Sequence, residues 1–178
     1  IESRGIEVKK QWEVLEEVVG SALRRLESPL RQRQVEIDIP ADLPLIPMDG
    51  LLMEQVLINL LENATRYTPP EAAIRITARA SAKECLVEVS DTGPGLAKGE
   101  EDRIFEKFYR GSGGEQANDR RRGAGLGLAI CKAIVQAHGG SIRAENRSSG
   151  GARFALSIPI GGNAPKVPAA VPVEMASA

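Results

Sequence analysis

The chain has 178 residues and a formal net charge of −1, enough length for one domain of ordinary size with a real core. Its 42% apolar and 26% charged content is that of a soluble globular protein, and the near-neutral balance gives no global electrostatic case for nucleic acid or an anionic membrane. Aromatic residues at 3% argue against base-stacking platforms, and no apolar run approaches the roughly 20 residues that span a bilayer. The sequence begins at Ile1 rather than methionine, with no signal-like start, and is read as a piece of a longer protein. Residues 1–11 are polar and read as a linker and the end of an upstream element. From Trp12 the pattern turns helical, with Leu15, Val18, Val19, Ala22, Leu23 and Leu26 at helical spacing until Pro29 kinks or ends it. Val35, Ile37 and Ile39 alternate with acids as in a half-buried strand, and the proline-punctuated piece Leu43 to Met48 reads as an edge strand.

The strongest helix signal is DGLLMEQVLINLLENATRY, with Asp49 as N-cap and the Thr68-Pro69-Pro70 run as its stop. Leu52, Val56, Leu60 and Ala64 follow a helical repeat. On another face Asn59, Asn63 and Arg66 project in nearly the same direction. Asparagine is a mediocre helix former, but an amide offers an oxygen to a hard cation and an N–H to a phosphate. Taken alone, this face also suits plain solvation.

Ile74, Ile76 and Ala78 mark a strand, and Leu86, Val87 and Val89 mark the next, joined as a hairpin by SAKE at 81–84. The second strand runs into Asp91-Thr92-Gly93-Pro94-Gly95. A carboxylate fixed there suits an exocyclic amine such as adenine's, and the glycines let a flat ligand approach; a plain turn is the simpler reading of the same residues. A short acid-led helix is expected from Glu100 to Tyr109, followed by a mobile loop over 110–122. Gly123-Ala124-Gly125-Leu126-Gly127-Leu128 then opens a helix that runs to about Ala137 and stops at Gly139-Gly140. A glycine run at a helix N-terminus is a phosphate site in principle, and Arg110 and Arg120–Arg122 bring positive charge near it, although a solvated basic loop explains most of those arginines equally well. Strands are expected at Ser141 to Glu145 and Ala152 to Pro159, and 161–178 reads as a disordered tail. Cys85 and Cys131 lack any metal-type or CxxC spacing and are expected to be buried thiols. Adjacent strands joined by short turns, with interspersed helices, predict an α/β two-layer sandwich: a mixed sheet with helices on one face.

In this order the motifs resemble the catalytic ATP-binding domain of bacterial sensor histidine kinases, of the gyrase, Hsp90, histidine kinase and MutL superfamily. NLLENATRY (Asn59–Tyr67) is similar to the N box, DTGPG (Asp91–Gly95) to the first glycine box, RIFEKFYRG (Arg103–Gly111) to the F box and GAGLGLAI (Gly123–Ile130) to the second glycine box. The resemblance covers roughly Trp12 to Pro159 and places the domain at 12–160. Within the group, LEEVVGSAL and VLINLLENA resemble the potassium-responsive Kdp-type kinases.

The resemblance implies the Bergerat fold, ATP and Mg²⁺. It implies that Asn63 coordinates the metal, that Asn59 and Arg66 lie beside the triphosphate, and that Tyr67 lies near the nucleotide. Asp91 is expected to bond adenine in a pocket shaped by Gly93 and Gly95. Phe105 and Phe108 are expected to position a lid, Arg110 to reach a phosphate, and Gly123, Gly125, Leu126, Gly127 and Leu128 to supply the lid hinge and contacts. Asn59, Arg66 and Arg110 are the implied catalytic set. Arg66 departs from the commoner lysine of the N box, keeping charge but changing geometry. Hydrolysing members of the superfamily carry a glutamate where this chain has Asn59, and an amide is no general base. Phosphoryl transfer is thereby favoured over an ATPase, and the intact F box and glycine boxes favour it over a nucleotide-gated module without catalysis. The sole histidine, His138, lies in AHGG without the acidic neighbour of a phosphoacceptor box and reads as a packing or capping residue. The acceptor is expected on an upstream dimerisation hairpin, with a response regulator downstream and no nucleic acid. The fragment is expected to be a monomer and cytoplasmic, the parent a homodimer anchored in the inner membrane.

Overall fold

The computed structural model describes residues 5–111 and 125–162. Five strands form one sheet in the order β2 (Val35–Asp38), β4 (Ile74–Ala80), β5 (Glu84–Asp91), β7 (Ala152–Pro159), β6 (Ser141–Asn146). The β2–β4 pair is parallel and the rest are antiparallel, so the sheet is mixed. On one face Ile76, Val89 and Phe154 lie in register and are buried, as are Ala78, Val87 and Leu156 in the next row. The opposite face carries charge: Arg75 and Arg79 pair with Asp38, and Arg153 pairs with Glu145 and Glu88. Period-two alternation thus sets one wet face and one core face.

Three helices cover the core face: α1 (Leu15–Arg25), α3 (Gly50–Tyr67) and α4 (Gly127–Ala137). The predicted helix α3 packs Met53, Val56, Leu57, Leu60, Leu61 and Ala64 into the centre of the core. Asp49 caps it, accepting from Leu52 N at 3.1 Å. The other carboxylate oxygen accepts from Lys9 N at 3.0 Å. Burial pushes the Asp49 pKa up, yet the N–H bonds from Lys9 and Leu52 outweigh it and hold the carboxyl below its ordinary value. A depressed native pKa means that this stabilisation is present above the unfolded-state value and is lost as pH falls through the native one. Asp49→Ala is therefore expected to cost about 1 kcal/mol at pH 7, a difference that shrinks below about pH 4 in urea unfolding; a pH-independent difference would refute the account.

Several boundaries differ from the sequence reading. Gln11–Glu13 is a strand, β1, pairing antiparallel with β3 (Ile46–Met48) in a separate two-stranded ribbon, so α1 starts at Leu15 and not at Trp12. The break that Pro29 was expected to cause comes three residues before it: α1 stops before Leu26, and a four-residue helix α2 (Glu27–Leu30) follows. The Pro29 ring would clash with the Arg25 carbonyl in a continuous helix, whereas in the first turn of α2 its missing N–H costs nothing. The expected helix over Glu100–Tyr109 is only a 3-10 turn at Arg103–Phe105. Ile104 and Phe105 turn inward, but Phe108 sits at φ 63° and is 70% exposed, which breaks the helical face. The hairpin at 81–84 forms as read, with Ser81 Oγ accepting from Lys83 N and Glu84 N at 3.2 Å. Both cysteines are buried and free, and burial raises the thiol of Cys85 to about 11 and that of Cys131 to about 12. The loop reading over 110–122 and the tail reading over 161–178 fall outside the described residues, apart from Arg110, Gly111, Gly161 and Gly162.

Candidate functional site

Two adjoining cavities open between α3, the end of β5 and the start of α4, sharing Asn63, Tyr67, Ile104, Tyr109 and Leu128 as common wall. The first, of about 330 Å³, is walled by Leu96, Ile104, Leu128 and Phe154 around the Asp91 carboxylate and the Thr68 side chain. That volume falls within the range of small-molecule sites, as does the plan of apolar walls around a few polar groups. The second, of about 280 Å³, is lined by Asn59, Glu62, Arg66 and the backbone of Gly125, Leu126 and Gly127.

Asp91 is the last residue of β5 and is 6% exposed. Its Oδ1 accepts from Gly93 N at 2.9 Å and from Ala152 N at 3.3 Å. Oδ2 has no partner among the described residues, leaving one acceptor for the cavity. The turn after Asp91 is held from the far side by the β6–β7 connection. Asn146 takes Leu96 from both ends, accepting from Leu96 N at 2.7 Å and donating to Leu96 O at 2.9 Å. Arg147 donates to Asp91 O at 2.8 Å. Gly151 lies so close that a Cβ there would overlap the Asp91 carbonyl oxygen. No motif in the sequence marks Asn146 or Arg147; the Gly150-Gly151 pair is the only local signal. Thr68, Ile104, Tyr109 and Phe154 also wall the cavity without having been singled out for it.

Asn59 and Asn63 are half-buried on α3, and Arg66 is exposed beside them. Asn59 is engaged at both ends of its amide: it donates to Gly127 O at 3.2 Å and accepts from Gln55 Nε2 at 3.0 Å. Asn63 borders both cavities and has no hydrogen-bond partner among the described residues. Among the described residues no side chain caps helix α4, and the N–H groups and positive dipole end at its start face the second cavity.

Of the residues singled out in the sequence, Tyr67, Asp91, Gly95, Gly125, Leu126, Gly127 and Leu128 line the cavities. Gly93, Phe105, Phe108 and Arg110 do not line either one, and Gly123 lies outside the described residues. Phe105 packs edge-on against Phe154, with ring centroids 6.4 Å apart. Phe108 N donates to Gly125 O at 3.0 Å, which ties the F box to the second glycine box. Gly125 has φ 72°, and a Cβ on it would come within 3.1 Å of Phe108 Cα, so that tie depends on glycine. Partial desolvation and a hydrogen bond to Glu100 raise the Tyr109 pKa above its ordinary value.

His138 is fully buried, with Nε2 accepting from Asp49 N at 3.0 Å and Nδ1 facing Ile134 O at 2.8 Å. These partners fix the Nδ1–H tautomer and leave no nitrogen for a phosphate.

Residues 48–162 match the family model described as Histidine kinase-, DNA gyrase B-, and HSP90-like ATPase. The chain belongs to that family. The sensor protein KdpD of Escherichia coli (strain K12) is 48% identical over 159 residues, covering 89% of this chain and 17% of KdpD. The chain thus spans about a sixth of that relative's length. Full-length ShkA in complex with AMPPNP superposes with a TM-score of 0.74 at 28% identity, over 90% of this chain and 33% of ShkA. The catalytic domain of histidine kinase ThkA gives 0.72 at 28% identity, over 87% of this chain and 99% of its own, and another structure holds ThkA in complex with the response regulator TrrA. The mixed sheet with helices on one face is the fold of the histidine kinase catalytic domains, and this is an ATP-binding domain of that type.

Proposed function

We propose that this histidine kinase-like domain holds Mg²⁺-ATP across the two cavities and donates the γ-phosphoryl group to a histidine on a separate dimerisation hairpin of the parent protein. The observation that carries this is the polarity of the paired site. One end is an apolar slot into which Asp91 presents a carboxylate oxygen, with Glu100 also in its wall; the other is lined by the start of a helix, Arg66 and the amides of Asn59 and Asn63, with Glu62 at its edge. Adenine suits the first and a triphosphate the second.

The residues present fit Mg²⁺. Among the described residues no three His, Cys, Asp or Glu gather as a metal cage. Mg²⁺ bound mainly by phosphates and water needs only one or two protein oxygens, and the Asn63 amide, which has no partner among the described residues, supplies one. When bound, the ion neutralises phosphate charge. This chain's own residues do the rest: Asp91 orients the purine, Arg66 and the α4 N-terminus hold phosphate oxygens, and Leu128, Tyr109 and Ile104 exclude water. Phosphoryl transfer requires little more than such positioning and charge neutralisation. Asn59, tied at both ends and without basicity, activates no water, which separates this site from a hydrolase.

By the same reasoning the parent protein is a homodimeric, membrane-anchored sensor kinase with its catalytic part in the cytoplasm and a response regulator as its downstream partner, as TrrA is for ThkA. Identity to KdpD supports the potassium-responsive group. The test mixes the domain with a competent acceptor hairpin and γ-labelled ATP, with Mg²⁺ present. Base-stable, acid-labile label on the hairpin is expected. A hairpin that stays unlabelled while free phosphate accumulates would point to an ATPase instead.

A further inference from the structure

Arg33 lies between α2 and β2, outside every motif of the site, yet its guanidinium closes the C-terminal end of α3. Nη1 donates to Thr68 Oγ1 at 2.8 Å and to Pro69 O at 3.1 Å. Nη2 donates to Thr65 O at 2.8 Å and to Thr68 O at 3.0 Å. A cation at the carbonyl end of a helix is favourable in itself, and the planar fork suits several acceptors at once. The arrangement does more than end a helix, because Thr68 is a wall of the first cavity.

The Thr68 hydroxyl accepts from Arg33 and donates to Ala64 O at 2.7 Å, so its rotamer is fixed from both sides. That rotamer turns the methyl group onto Gly93, where an added Cβ would lie 2.5 Å from Thr68 Cγ2. Gly93 N in turn donates to the Asp91 Oδ1 oxygen at 2.9 Å. We infer that Arg33 is a positioning residue for the purine end of the site: by locking Thr68 against Gly93 it sets where the Asp91 carboxylate points. The inference rests on the reading that this cavity takes adenine.

The test uses Arg33→Met, which keeps the aliphatic stem and removes the donors, beside Arg33→Lys, Thr68→Ser and Asp91→Asn. In the nucleotide-free chain, amide exchange at Gly93 should quicken about tenfold in Arg33→Met relative to Leu156 in the middle of β7, since its support opens locally. At a temperature where the variant is folded, affinities for ATP and ADP should fall by the same factor, about tenfold, because the loss is at the purine and not at the phosphates. Preference for ATP over GTP should fall with them, and Arg33→Lys should recover part of each. Thr68→Ser keeps the hydroxyl and removes only the methyl on Gly93; it should lose purine selectivity without a matching drop in melting temperature, and it carries the test if Arg33→Met does not fold. A lower melting temperature with unchanged Gly93 exchange, affinity and purine preference would make Arg33 a helix cap only and overturn the inference. If Asp91→Asn also binds ATP as the parent does, the adenine reading fails instead, and Gly93 exchange still decides the Arg33 linkage.

Discussion

Asp91→Asn is expected to weaken ATP binding about 100-fold while leaving the melting temperature nearly unchanged. The asymmetry follows from how the two carboxylate oxygens are used. Oδ1 is bonded to the N–H groups of Gly93 and Ala152, and an asparagine oxygen in its place keeps both bonds. The –NH₂ group then replaces Oδ2 at the cavity. An exocyclic amine of adenine, which met an anionic acceptor, meets a donor. Losing a charge-assisted hydrogen bond costs about 1.5–3 kcal/mol, and leaving two donors face to face takes the effect to the upper end. Equilibrium titration of ATP into both proteins measures it; a change of less than about threefold would remove adenine from Asp91.

Gly151→Ala is expected to be strongly destabilising, since both the space and the backbone conformation at this position exclude a methyl group. Gly151 has φ 87°, and a Cβ would overlap the backbone of Asp91. Backbone on both sides of the clash is fixed: Arg147 N donates to Gly151 O at 2.9 Å, and Arg147 Nη1 holds Asp91 O at 2.8 Å. Neither strand end yields as a flexible side chain would. A cost of about 4 kcal/mol is expected, seen as a fall of about 10 °C in melting temperature, with ATP affinity lost alongside because Asp91 must move. The neighbouring Gly150 is the control. Its φ is 95°, but a Cβ there meets nothing within 4 Å, so Gly150→Ala should cost only about 1–2 kcal/mol of backbone strain. Equal melting temperatures for the two variants would contradict the packing argument.

What the sequence showed and what it hid divide along a physical line. Helix α3 was legible because its apolar repeat, its Asp49 cap and its amide face lie within one uninterrupted stretch. Asp91 and the Gly125–Leu128 start of α4 were legible because glycines mark backbone that must bend or be approached. Arg33, Asn146 and Arg147 were not legible. Each acts on backbone carbonyls or amides far away in the chain, and any sequence presents such partners at those places. The F box misled for a related reason. Its acid-led start and apolar spacing fit a helix, but the tie from Phe108 N to Gly125 O draws the chain into a left-handed residue that local pattern does not encode. Strand β1 is three residues long and gains its place by pairing with β3, which no periodicity over so short a run predicts.

The proposed Mg²⁺-dependent ATP site lies between α3 and α4. Calorimetric titration of ATP into the chain, once with Mg²⁺ and once with a chelator, tests it most directly. Saturable one-site binding that weakens at least tenfold in chelator is the expected result. Absence of binding at millimolar ATP, or binding indifferent to the metal, would contradict it.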